Sequence, residues 1–489
     1  MKAMIIALAA AIGLAAAPPA QAAPSIDDYL ASALESTGVP GFSVVVTRGD
    51  EVVHAAGYGH DSTGRPMTAD TPMRVASLSK SFTAMAVMTL VDAGKIALDQ
   101  PVAEQLPGFS MADPRAAQVT VRHLLNQTSG FSDTTIDINA LEDAGSLAEY
   151  TARLSTAALA AAPGTHWEYC NVNYDVAARL VEVASGQPFG DYLRQHVFEP
   201  LGMRTSAVSD EQVRPADGYV SLFGAWISRP ELPGFLDNSG GGGVITTAAD
   251  MGRWLVSQNG VGPQLVSPDS LRTMHSPSAV DDYGMGWGVE QPEGGPEVLV
   301  HSGNLFTYNA VQAIVPETGY GFAVMTNGAS LHDSSYEILN GLVALSQGRT
   351  PDEFSGGRQT FELVLGGISL VAVGLGVLGA VRSRRWAAKR AGSPAWWIGL
   401  RLVPVLVPLA VFVAYPSGIS FLSNGRTVTW AQLTYFPLPL TVTLLLAALA
   451  GVSTVVFRLV RLRAGAGGGA VPRGFAPVPG DRQRVADEL

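Results

Sequence analysis

The sequence predicts an α+β domain, an antiparallel sheet flanked by helices with a helical subdomain beside it, followed by three transmembrane helices. Three observations lead there. Strand-like segments lie near both ends of residues 23–350 and enclose a helical middle, as in one sheet built from the two ends of a domain. Three long apolar runs come after it. The charge also changes sign between the two parts: residues 1–360 carry 18 Lys and Arg against 38 Asp and Glu, and residues 361–489 carry 13 against 4.

Residues 1–22 begin Met-Lys, continue through Ile5-Ile6-Ala7-Leu8, and end at Ala20-Gln21-Ala22. A short apolar core before a small-x-small site is the pattern of a signal peptide, with cleavage expected at about Ala22. Phe42–Val46 and Glu51–His54, joined through Arg48-Gly49-Asp50, read as a hairpin. A helical stretch is expected from about Ser79 to Leu201. Strands return at Glu297–His301, Ala310–Val315 and Gly321–Thr326. The single cysteine, Cys170, has no partner for an intramolecular disulfide, so the domain must stand on its own apolar core.

Beyond a linker at 351–360, the runs Phe361–Val381, Trp396–Tyr415 and Trp430–Phe457 are each near or above the roughly 20 residues that span a bilayer. Trp396, Trp397, Tyr415, Trp430 and Tyr435 sit near their ends, where amphipathic rings favour the interface. Arg382, Arg384, Arg385, Lys389 and Arg390 follow the first run, and Arg458, Arg461 and Arg463 follow the third, whereas the second loop holds only Arg426. Positive loops stay inside, which places the acidic domain outside the cytoplasm and the tail, 458–489, inside as a disordered end. Glu362 is a single charge at the edge of the first run, and no run carries a deep ionisable residue, which argues for anchoring over ion transport. An acidic domain of this kind argues against nucleic acid as a partner.

Chemistry begins at Ser77-Leu78-Ser79-Lys80, where a strand-like segment turns into a helix without Gly or Pro. One helical turn separates Ser77 from Lys80, so the two share a face, and a lysine amine there can take the serine proton. Alone the spacing is weak, since a capping serine and a surface lysine would look the same. Tyr169-Cys170-Asn171 follows after Pro163-Gly164, and His301-Ser302-Gly303 lies on a late strand.

In this order the three clusters resemble the S-x-x-K, Y-x-N and H-x-G motifs of the serine β-lactamase and penicillin-binding-protein superfamily, most of all its class C β-lactamase-like branch of D-amino-acid peptidases and esterases. The resemblance covers about residues 25–345. It implies that Ser77 is acylated, that Lys80 and Tyr169 move its proton, and that Asn171 holds Lys80 and the substrate carbonyl side. It also implies an oxyanion hole from the backbone N–H groups of Ser77 and Asn304, with His301 and Gly303 at the substrate edge. No cofactor or metal is required. Two departures stand out: His301 takes a position where penicillin-recognising members often carry lysine, and Thr307 one where relatives often have glycine. Histidine, with an ordinary pKa of about 6.5, is a poorer holder of a free carboxylate, which shifts the expectation from β-lactams toward amides, peptides and esters. Gly240–Gly243 reads as a tight turn, His123 as structural, and Cys170 as small buried packing.

The resulting expectation is a membrane-anchored extracytoplasmic serine hydrolase acting on a small-molecule or peptide substrate. The alternative is a ligand-binding sensor or assembly protein on the same fold that does not turn over.

Overall fold

A computed structural model describes residues 24–292, 295–423 and 425–467. The signal peptide expected at 1–22 and the tail from 468 onward lie outside the described residues.

The chain enters through helix α1 (Ile26–Thr37), capped by Ser25 and closed by Gly38, whose φ of 62° ends the helix in the left-handed region. Strands β1 (Gly41–Arg48) and β2 (Glu51–Gly59) form the expected hairpin. Short strand β3 (Met73–Arg74) leads to helix α2 (Ser79–Asp92), and helix α3 (Val172–Ser185) ends the helical subdomain's central pair. Then come β4 (Gly218–Leu222), β5 (Ala225–Arg229), β6 (Ile245–Thr246) and helix α4 (Ala248–Gln258). Strands β7 (Gly288–Glu290), β8 (Val298–Asn304), β9 (Asn309–Val315) and β10 (Tyr320–Thr326) precede helix α5 (Ser334–Ser346).

The main sheet runs in the order β2-β1-β10-β9-β8-β7, antiparallel throughout. Its first and last segments meet where β1 pairs with β10, so the two ends of the domain close one sheet as expected. Alternation along the strands serves two cores. Val44, Val46, Val311, Ala313, Phe322 and Val324 face α1 and α5, while Val45, Ala310, Ile314, Ala323 and Met325 face α2 and α4. Gln312 breaks the apolar run on the second face. It is fully buried, accepts from Trp254 Nε1 at 3.1 Å and donates to Ser81 Oγ at 2.9 Å, fixing α2 and α4 to the sheet. Helix α2 is buried on nearly every side, consistent with its uninterrupted apolar sequence.

Three long helices follow: α6 (Gly357–Ala388), α7 (Ala395–Leu422) and, after the single turn α8 (Trp430–Leu433), α9 (Leu438–Gly467). All three long ones are apolar enough to cross a membrane. Helix α9 runs past Phe457 to Gly467, so the segment 458–467 expected to be disordered is helical. Small residues let the helices approach closely: a Cβ on Gly379 would lie 2.3 Å from Thr454 Oγ1, and one on Gly451 would lie 2.3 Å from Val405 O.

One sequence expectation changes at the junction. Strands β4 and β5 form a hairpin whose tip residue Phe223 packs against Gly366 of α6. Glu362, expected as an edge charge, is fully buried. It accepts from Ser221 Oγ at 2.6 Å and from Gly224 N at 2.8 Å, and it faces Arg358 Nη1 at 3.8 Å, while that guanidinium lies over the Trp226 ring. Helix α6 is thereby locked to the folded domain before it enters its apolar stretch. Glu362→Ala leaves the Arg358 charge buried and unpaired, so unfolding of the full chain in detergent should show a loss of roughly 3–5 kcal/mol. Replacing both residues by leucine should recover most of it.

Candidate active site

Ser77 lies in a 3-10 turn, Ala76–Leu78, immediately ahead of α2. The turn is held in a costly conformation: Ala76 has φ of 49°, a region non-glycine residues avoid. Ser79 Oγ donates to Ala76 O at 2.6 Å and accepts from Val244 N at 2.9 Å, pinning that peptide from both sides. The result leaves Ser77 partly open while its neighbours Ala76, Leu78, Ser79 and Lys80 are buried.

Lys80 is fully buried, and its Nζ donates to Ser77 Oγ at 3.0 Å, Asn171 Oδ1 at 2.8 Å and Gly241 O at 2.7 Å. The amide and carbonyl oxygens can only accept, so they take two of the lysine protons in either charge state. The third position faces Ser77 Oγ, where an ammonium donates and a neutral amine receives. That arrangement can pass a proton without moving a heavy atom. Tyr169 OH hydrogen-bonds Ser77 Oγ at 2.7 Å, and Lys80 Nζ lies 4.8 Å from the centre of the Tyr169 ring. Asn171 occupies the N-cap position of α3 but does not cap it; its oxygen serves Lys80 instead.

Strand β8 forms the opposite wall. A Cβ on Gly303 would come within 2.3 Å of Val75 O and 3.0 Å of Ser77 N, so only glycine lets the strand pass this close to the serine turn. Leu305 N–H donates to Tyr308 O at 2.9 Å, while Gly303 pairs with Ala310 and Asn304 with Asn309. Bonded and non-bonded pairs alternate along an antiparallel ladder, which turns the Asn304 N–H away from β9. It emerges on the open edge beyond the end of β7, next to Gly303 and its close approach to the serine turn.

His301 departs from the expected substrate-edge position. It is 7% exposed, its Nδ1 donates to Ser302 O at 2.7 Å, and its Nε2 accepts from Tyr283 OH at 2.9 Å. Both ring nitrogens are therefore occupied within the protein. Burial, reinforced by the nearby Lys80 charge, pulls its pKa down to about 3, so it presents no cation to a substrate.

Several supporting residues carry no motif signal. Gly240–Gly243 was expected as a simple turn, yet Gly241 supplies a Lys80 acceptor. Asp175, fully buried and raised in pKa by that burial, accepts from Ser239 Oγ at 2.7 Å and Gly241 N at 3.2 Å, holding this loop. Glu231 accepts from Phe306 N at 2.9 Å, Thr307 N at 3.0 Å and Thr307 Oγ1 at 2.6 Å, which ties off the threonine and shapes the loop after Asn304. Cys170 is buried as expected, with burial and Asp133 raising its thiol pKa well above the ordinary value. His123 belongs to a capping box with Thr120, a structural role.

Gly303→Ala should reduce labelling of Ser77 by a serine-reactive probe by about 100-fold, the scale of a reacting group displaced by an ångström. Below its unfolded pKa of about 6.5, His301 binds a proton only in the unfolded chain, so its contribution to stability is full above that pH and is lost as the pH falls toward about 3. A denaturant series across that window should show a shallower acid limb for His301→Gln.

Residues 26–345 match the Beta-lactamase family. Penicillin-binding protein 4 of Amycolatopsis lactamdurans is 32% identical over 345 residues, 65% of this chain and 88% of that protein. Protein flp of Staphylococcus aureus (strain MW2) is 26% identical over 323 residues, 62% of each chain, so this chain spans less than two thirds of that relative. The structure of a penicillin-binding protein from Bacillus halodurans overlays with a TM-score of 0.56 at 25% identity, covering 65% of this chain and 98% of that one. The matched region holds the whole sheet, the helical subdomain and every polar group around Ser77, and through it the chain belongs to the beta-lactamase family within the serine β-lactamase and penicillin-binding-protein superfamily.

Proposed function

We propose that this protein is a membrane-anchored serine hydrolase, its domain outside the cytoplasm, that cleaves an amide or ester through an acyl-enzyme on Ser77. The observation that carries the reading is the convergence of Lys80 Nζ and Tyr169 OH on Ser77 Oγ, at 3.0 and 2.7 Å. Ser77 Oγ attacks the carbonyl carbon, and its proton passes to the Lys80–Tyr169 pair. The N–H groups of Ser77 and Asn304 receive the developing oxyanion. The pair returns the proton to the departing amine or alcohol, and the same groups then activate water to release the acid. Asn171 keeps Lys80 aimed and offers its amide nitrogen to the substrate.

Peptidase, amidase and esterase chemistry is favoured over β-lactam hydrolysis, because a neutral, internally bonded His301 supplies no fixed charge for a free carboxylate. The anchoring reading rests on the three apolar helices, with the arginine-rich α6–α7 connection on the cytoplasmic side.

Mass spectrometry of the full chain treated with a fluorophosphonate should place one adduct on Ser77. Ser77→Ala should abolish both the adduct and hydrolysis of p-nitrophenyl esters or D-aminoacyl amides, and Tyr169→Phe should slow acylation by about 10²–10⁴-fold. A Ser77→Ala variant with undiminished hydrolysis would sink the proposal. An acyl-enzyme that forms but never turns over would support the ligand-binding alternative.

A further inference from the structure

The connection between α7 and α9 reaches the rim of this site at two separate points. Arg426 Nε pairs with Asp133 Oδ2 at 3.0 Å, and Asp133 Oδ1 accepts at 3.3 Å from the thiol of Cys170, the residue between Tyr169 and Asn171. Beside it, Gly425 sits so near Thr134 that an added Cβ would lie 2.4 Å from the threonine Cγ2. At the other point the Arg229 guanidinium lies 3.6 Å over the Tyr435 ring, and its Nη1 donates to Thr434 O at 2.6 Å. The same Tyr435 ring meets Phe306 edge-on, with centroids 5.9 Å apart. Phe306 stands just past Asn304, in the loop held by Glu231. One connection is therefore linked through Asp133 to Cys170 and through Phe306 to the loop after Asn304.

That connection also carries its own depth marker. The ring of Trp430 packs on Phe412 and Tyr415 of α7, with centroids 4.8 and 6.4 Å apart, and remains partly exposed. Tryptophan and tyrosine flanking an apolar stretch favour headgroup level. The contacts made by Arg426 and Tyr435 belong to the same segment, four and five residues from that marker.

We propose that residues 425–435 form a third wall of the substrate cleft and select an amphiphilic acyl donor whose apolar part stays in the membrane. Arg426, through Asp133, and Tyr435, through Phe306, act as positioning residues for that selection. A substrate confined to the same bilayer also meets the cleft at a raised effective concentration. The inference rests on the Ser77 hydrolase reading.

The test uses the full chain in phospholipid nanodiscs and two alkyl fluorophosphonates, one short and soluble, one long and membrane-partitioning. Labelling rates measured against probe concentration separate the apparent probe affinity from the limiting rate. Tyr435→Ala and Arg426→Gln should each lower the long-to-short preference about fivefold, the scale of one aromatic contact. The change should fall in affinity and leave the limiting rate alone, and Tyr435→Phe, which keeps the ring, should restore the preference. Loss of limiting rate with an unchanged preference, or no change in either variant, would overturn the proposal. Should Tyr435→Ala fail to fold, Arg426→Gln, at a half-exposed side chain, decides on the same criterion. A wild-type chain that neither probe labels would instead overturn the reading of Ser77 itself.

Discussion

The structure depends on one buried lysine. Lys80 lies with no solvent exposure, and its three hydrogen bonds join the serine turn, the start of α3 and the glycine loop before β6. A buried ammonium without acceptors would be prohibitively unfavourable, so each of those segments has to arrive in place together. Other contacts are arranged around that requirement. Asp175 fixes the glycine loop, Ser79 holds the strained Ala76 peptide, and Gln312 fastens α2 to the sheet. The fully packed surroundings of α2 keep the lysine from relaxing toward water, and the same packing keeps the serine hydroxyl in front of it.

Strand β8 meets this assembly from the sheet side. Its close approach at Gly303 brings the strand against the serine turn, so a sheet edge and a helix N-terminus meet at Ser77. His301, on the same strand, is bonded within the wall, with its ring 6.3 Å from that of Tyr169. Its ring is used up by Tyr283 and the Ser302 carbonyl, and burial keeps it neutral. The long apolar helices attach through a different kind of contact, the buried Arg358–Glu362 pair against the β4–β5 hairpin and the Trp226 ring. That hairpin leads directly, through Arg229 and Glu231, to the loop after Asn304.

Much of this was legible in the residues. The β1–β2 hairpin, the late strands and the apolar helices announce themselves through period, turn residues and length, because those signals are local. Ser77, Lys80, Tyr169 and Asn171 were legible through their order and spacing, and the structure brings all four into direct contact. Gly241 and Asp175 were not, since a backbone carbonyl carries no side-chain signature and a lone aspartate on a helix looks solvated. Glu231 was hidden for the same reason: its partners are backbone groups 75 and 76 residues away in sequence. The β4–β5 hairpin escaped because its strands are short and only partly apolar.

The sequence by itself determined the class of domain, the apolar helices and the side chains that gather around Ser77, all of which follow from residue identity and short-range periodicity. Tertiary structure alone decided that His301 faces inward, that Glu362 is a buried anchor and that the α7–α9 connection meets Asp133 and Phe306. Those outcomes turn on which distant groups satisfy a buried charge or ring nitrogen. Such partners are chosen by packing across the whole chain, and no local pattern records the choice.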